Sequence, residues 1–192
     1  MHRLSASFVL GYHGCRQSVG EKLLAGADFE PSDNAYDWLG PGIYFWEANP
    51  RRGLEFMREK AQRDGFDPAE AFVVGAIIDL GSCLDLTTSA SIELVKSAHD
   101  EFVVATTRAG NPMPENSGDL LRRHLDCAVI RHLHKILESA GSPPLQSVKG
   151  VFTEGRAIYS GAGIREKTHV QIAMLDAACI KGVFRVPSRH LT

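Results

Sequence analysis

Along the chain, short apolar runs alternate with longer stretches in which apolar residues recur every three or four positions, the marks of strands and helices respectively. Residues 6–10 form one such run and lead into Gly11-Tyr12-His13-Gly14-Cys15, which predicts a first strand with its polar chemistry at the carboxyl end. Ser18-Val19-Gly20-Glu21 has capping-box spacing, so a short helix with Leu23 and Leu24 is expected to follow and to stop at Gly26. Residues 28–37 are polar and rich in turn formers, and predict an exposed loop between His13 and Tyr44, placed as a lid would be in an enzyme. Gly40-Pro41-Gly42 then makes a tight turn into Ile43-Tyr44-Phe45-Trp46, all strong strand formers. Alternation along that strand puts Ile43 and Phe45 on one face and Tyr44 and Trp46 on the other.

Asn49 followed by Pro50 predicts the cap and first position of a helix reaching about Arg63, with Gly65 as its stop. Leu54, Met57 and Ala61 share its apolar stripe, while Arg51 with Glu55 and Glu59 with Arg63 are spaced as surface pairs on a solvated face that also carries Arg52. Residues 71–80 are continuously apolar and rich in Val and Ile, as expected of a buried central strand, and residues 83–86 continue into a shorter one. A helical region over 87–107, a proline-containing loop over 110–118 and, over 119–140, what reads as the longest helix come next. On the long helix Leu121, Leu125, Val129, Leu133 and Ile136 form one stripe, and Arg122, Arg123, Arg131, His134 and Lys135 a solvated basic face. The last third reads as short strands at 148–152, 156–159, 169–175 and 182–186. The element order predicts one mixed α+β domain spanning residues 1–192.

Composition narrows the class. With 21 basic and 23 acidic residues, the chain is not a strongly basic nucleic-acid scaffold. Cys15, Cys83, Cys127 and Cys179 are scattered with no CxxC pair, and neither they nor His124 and His132 have zinc spacing, so no metal is expected and the thiols are read as reduced. No apolar run approaches the roughly 20 residues of a membrane span, and the first residues lack a signal-peptide core. These features predict a cytoplasmic protein with no membrane contact.

Three separated motifs carry candidate chemistry: Tyr12-His13-Gly14, Gly40-Pro41-Gly42-Ile43-Tyr44-Phe45, and the late strand 169–175 ending before Asp176. In this order they resemble the ADP-ribosyltransferase superfamily, in its diphtheria-toxin-like and poly(ADP-ribose)-polymerase-like branch with a His-Tyr-Glu triad. The resemblance implies a split β-sandwich core with peripheral helices and, over residues 85–145, an inserted helical region with no counterpart in the family pattern. It implies NAD as co-substrate. Tyr44 would stack on nicotinamide, His13 would bind the adenosine-side ribose, and the backbone of Gly14 would hold the carboxamide, with Tyr12 and Gly42 beside them. Cleaving the nicotinamide–ribose bond generates an oxocarbenium-like centre, and a tyrosine face suits a flat cationic ring.

The third motif departs from the pattern, because the glutamate position, counted back from Asp176, falls on Gln171. Glutamine hydrogen-bonds a ribose hydroxyl but brings no charge, so mono-ADP-ribosyl transfer is expected rather than polymer synthesis. His169 shares a strand face with Gln171, and Glu154, Glu166 or Glu47 are the alternative sources of charge. After Tyr44, the family's serine and second aromatic are replaced by Arg52 and by Glu55-Phe56, leaving Phe56 as the candidate second wall. The function implied is transfer of ADP-ribose from NAD to a macromolecular acceptor, protein or nucleic acid. A free-standing domain of this kind suits an intracellular toxin of a toxin–antitoxin or phage-defence pair, with a cognate antitoxin as partner. The alternative is a catalytically silent module that binds NAD or ADP-ribose.

Overall fold

The protein was analysed as a computed structural model, in which residues 8–191 are described. Eleven principal elements follow in chain order: β1 (Phe8–Arg16), α1 (Gln17–Leu24), β2 (Ile43–Glu47), α2 (Pro50–Asp64), β3 (Ala71–Asp79), β4 (Cys83–Asp85), α3 (Ser89–Arg108), α4 (His124–Ser139), β5 (Ser147–Phe152), β6 (His169–Met174) and β7 (Ile180–Arg185). The strands join in one mixed sheet of order β4-β5-β6-β2-β1-β3-β7, parallel only between β4 and β5. The class is α+β, as the order of the elements predicts. Among the described residues no helix is long and apolar enough to cross a membrane.

Each sheet face has its own apolar layer. Ile43, Phe45, Ala76, Ile78, Ile172 and Met174 form one core, with Phe29 turned in from the loop after α1, and α1 itself packs against β1, β3 and β7. On the opposite face α2 packs Leu54 onto Tyr12 and Val73. Further along that face α3 and α4 cover Val148, Phe152 and Ala173 with Ala98, Val129, Ile130 and Leu133. Burying a Leu, Ile or Phe contributes roughly 1.5–3 kcal/mol, so these layers fix which face each site residue shows.

Several local expectations are corrected. The helix after β1 begins at Gln17 with Arg16 at its cap and no side-chain cap bond; Ser18 and Glu21 fall inside it, and Glu21 pairs with Arg185 instead. The helix expected to be the longest begins at His124 rather than at residue 119, and with 16 residues it is shorter than α3 with 20. Asp119 takes the Leu121 N–H and the Ser117 hydroxyl into a local turn, and Asn116 Oδ1 accepts the Leu125 N–H at 2.9 Å, capping α4 from outside. Residues 156–159 are no strand: a single bridge, Ala157 with Arg165, closes a loop beyond the β5–β6 hairpin. Residues 6 and 7 of the first apolar run lie outside the described residues.

The α2 helix follows the sequence closely. Asn49 accepts the Arg52 N–H at 3.0 Å, Pro50 begins the helix, and Gly65 ends it at φ 76°. Its approach to the sheet depends on Gly14. A Cβ there would stand 2.5 Å from the Gly53 carbonyl oxygen and 2.8 Å from Met57 Cγ. Gly14→Ala is therefore expected to lower stability by about 1–3 kcal/mol, read as a drop in the urea midpoint; an unchanged midpoint would show that α2 yields freely.

Candidate functional site

Strands β1 and β2 pair at only two positions, Gly11 with Glu47 and Tyr12 with Trp46, whereas β1 pairs with β3 from Phe8 to Arg16 and β2 with β6 from Ile43 to Trp46. The middle seam of the sheet thus parts where His13, Gly14 and Tyr44 stand. A continued ladder would next join Gly14 to Tyr44. In its place the His13 imidazole reaches across, with Nδ1 2.9 Å from the Tyr44 carbonyl oxygen. A carbonyl only accepts, so Nδ1 carries the hydrogen and Nε2 of the neutral ring keeps a lone pair. Backbone groups alternate sides along a strand. The Leu10 carbonyl accepts the Ala48 N–H on the β2 side at 2.8 Å, so Gly14, four residues later, aims its N–H and C=O to that same side, into the parted seam.

His13 and Tyr44 send their side chains to opposite faces and meet through backbone. The His13 ring packs among Phe29 and Phe45, at centroid distances of 5.3 and 5.6 Å. Desolvation pushes its pKa below the ordinary imidazole value, opposed by the hydrogen bond to Tyr44 and reinforced by Lys60. On the other face the Tyr44 hydroxyl donates to the Gly40 carbonyl at 2.8 Å and accepts the Leu39 N–H at 3.1 Å. Burial, then the nearby Asp37, raises its pKa well above that of a free phenol, so it stays protonated.

Gln171 lies on the Tyr44 face, directly opposite Trp46 and diagonal to Tyr44, which is itself opposite Ala173. Its Oε1 accepts from Trp38 Nε1 at 2.6 Å. Trp38 stands two residues before the Gly40-Pro41-Gly42 turn and has no place among the three sequence motifs. The available signal was chemical: an indole N–H in an apolar stretch needs a partner once buried.

The other expected residues gather away from the seam. Arg52, expected on a solvated face, is 4% exposed and binds Glu154 at 2.8 Å and Glu59 at 3.3 Å, so Glu59 pairs inward rather than with Arg63. Lys167 completes the network on Glu59 at 2.9 Å. His169 donates from Nδ1 to the Lys167 carbonyl and stacks on Phe152, and desolvation pushes its pKa down. Beside it, Trp46 Nε1, Arg52 Nε and His169 Nε2 are buried with no hydrogen-bond partner among the described residues. Phe56 leans on Trp46 at 4.9 Å, so its ring walls Trp46. Tyr12 is core, edge-on to Phe184, and the Gly42 backbone is engaged by Ser32 through two hydrogen bonds.

The three alternative carboxylates are all paired: Glu47 with Lys149, Glu154 with Arg52 and Glu166 with Arg156. Glu47 lies on the His13 face of the sheet by alternation from Phe45, and Glu166 is in the exposed loop beyond β5. Glu154 bonds through its backbone to Lys167, at the far end of the hairpin from Tyr44. The basic face of α4 is also partly occupied: Arg123 lies over the Trp38 and Phe152 rings at 4.9 and 4.4 Å. Cavities open elsewhere among the described residues, among them one of about 270 Å³ between the end of α1 and the start of β7 and one of about 380 Å³ beside Cys127 and Arg131.

Burial holds His13, His134 and His169 below the ordinary value of 6.5. The unfolded chain takes up protons near that pH that the folded chain refuses. The stability these neutral rings contribute is therefore full above about pH 6.5 and is lost as pH falls from there toward their folded values. Thermal melts between about pH 7.5 and 5.5 should show a falling Tm, flattened by His169→Gln; a Tm constant across that window in the wild type would contradict neutral burial.

Compared with protein-family models, curated proteins and solved structures, the chain matches none.

Proposed function

We propose that this protein is an NAD-dependent mono-ADP-ribosyltransferase acting inside the cell on a macromolecular acceptor. The observation that carries the reading is the parted seam. The motifs that resemble the transferase family come from three distant parts of the chain, and they lie on the adjacent strands β1, β2 and β6. The sheet opens between the first two of these, which supports a split-sheet core of the kind that family has.

The chemistry available there fits NAD cleavage. The free N–H and C=O edge of Gly14 matches a carboxamide, which both donates and accepts. Nε2 of neutral His13 is an acceptor suited to a ribose hydroxyl. The face of Tyr44, with its hydroxyl fixed by the backbone of residues 39 and 40, suits the flat nicotinamide ring. In the reaction the bond from ribose C1′ to the ring nitrogen breaks, its electron pair leaves with neutral nicotinamide, and an acceptor nucleophile forms the new bond to C1′ as it gives up its proton. Gln171 contributes hydrogen bonding without charge, which favours single transfer over chain growth.

A second reading, a silent module that binds NAD or ADP-ribose, draws on the neutral Gln171 and on the pairing of Glu47, Glu154 and Glu166 with basic side chains. Labelled NAD incubated with the protein and cell extract separates the two. Transfer of label that is lost in Tyr44→Ala and His13→Ala supports the transferase; NAD binding with neither free nicotinamide nor labelled product supports the module. Gln171→Ala should lower turnover at least about tenfold and Glu166→Ala should leave it nearly unchanged; the reverse ranking would move the third motif elsewhere. If the protein is a toxin, its expression should arrest bacterial growth, and unimpaired growth with folded protein would sink that form of the idea.

A further inference from the structure

Trp38 belongs to no strand, yet it is 9% exposed and immobilised from three sides. Its ring lies over Gly150, where a Cβ would stand 2.6 Å from the indole Cη2. The Arg123 guanidinium covers the ring at 4.9 Å, and Phe152 packs against it at 5.4 Å. Gly150 is the β5 partner of Gln171, so the indole is seated beside the amide it bonds.

An indole nitrogen donates and never accepts. The Gln171 atom facing Trp38 Nε1 at 2.6 Å is therefore the amide oxygen, and the amide nitrogen with its two hydrogens is turned away. No described residue accepts from that nitrogen. The two residues after Trp38 hold the Tyr44 hydroxyl, so one three-residue segment fixes both Tyr44 and Gln171.

We propose that Trp38 is a positioning residue that locks the Gln171 amide with its N–H₂ outward, so that the site offers a donor to an oxygen of its ligand. A hydroxyl, ether or carbonyl oxygen fits such a group; an ammonium does not. In its catalytic consequence the proposal rests on the transferase reading, where the oxygen belongs to the nicotinamide-side ribose.

Trp38→Phe in the full chain keeps an aromatic ring in the slot and removes the N–H with the five-membered part of the indole. The chain has two tryptophans, so ¹⁵N-correlated NMR gives two indole N–H signals, and Trp38→Phe assigns them. The Trp38 signal should be the one that moves in Gln171→Leu, and Trp38→Phe should shift the Gln171 side-chain amide pair while the rest of the spectrum keeps its folded dispersion and Tm falls only by what the lost indole volume costs. With NAD as substrate, Trp38→Phe should lower kcat roughly tenfold, about the value of one hydrogen bond, with KM changed much less. Added to Gln171→Ala it should cost little more, because the two act through one contact. An unshifted Gln171 amide pair in Trp38→Phe, or independent losses in the double variant, would overturn the proposal. If the wild type neither cleaves nor transfers NAD, the transferase reading fails, and the NMR comparison still decides whether Trp38 orients Gln171.

Discussion

The site depends on a substitution of one hydrogen bond for another. Where the ladder between β1 and β2 would close Gly14 against Tyr44, the His13 side chain takes the Tyr44 carbonyl. A buried carbonyl left without a donor costs about 1–3 kcal/mol, so the strands can part at that point only if something else satisfies it. The imidazole does so and remains neutral, because its surroundings are the rings of Phe29 and Phe45. A lysine of similar reach would bring a charge into that apolar layer. Histidine thus reconciles two demands, an open backbone edge at Gly14 and a satisfied carbonyl at Tyr44.

Much of this was legible in the residues. The α2 helix carries all its boundary signals locally, in Asn49, Pro50 and Gly65, and the alternation of Ile43 to Trp46 gives the two faces of β2 as they are found. Elements failed where a side chain outcompeted a pattern. Asp119 looked like a helix start and makes its own turn, while Ser18 had the spacing of a cap and lies one residue inside the helix. Arg52 was read as solvated because helix periodicity does not reveal that a loop carrying Glu154 will close over it from a hundred residues away.

For the site, the motifs gave the strands and their order of approach but not the parting between them, which is a matter of register. Nor did they give Trp38, whose partner lies 133 residues further along the chain. Its packing over Gly150 leaves a weak trace at best, since a glycine in a strand has many reasons to be there. The network of Arg52, Glu59, Glu154 and Lys167 ties α2 to the loop end of the β5–β6 hairpin, on the face that carries Gln171.

The contact of Gly14 with α2 also constrains how the chain can diverge. Gly53 sits above Gly14, and a side chain on Gly53 would itself press on Trp46 and Val73 at 3.3 Å. Neither glycine has room to grow alone. In distant descendants both positions should therefore stay small, and a paired glycine about forty residues apart, one after a strand histidine and one in the first turn of the following long helix, is a trace by which a diverged relative would be known after the rest of its sequence had drifted.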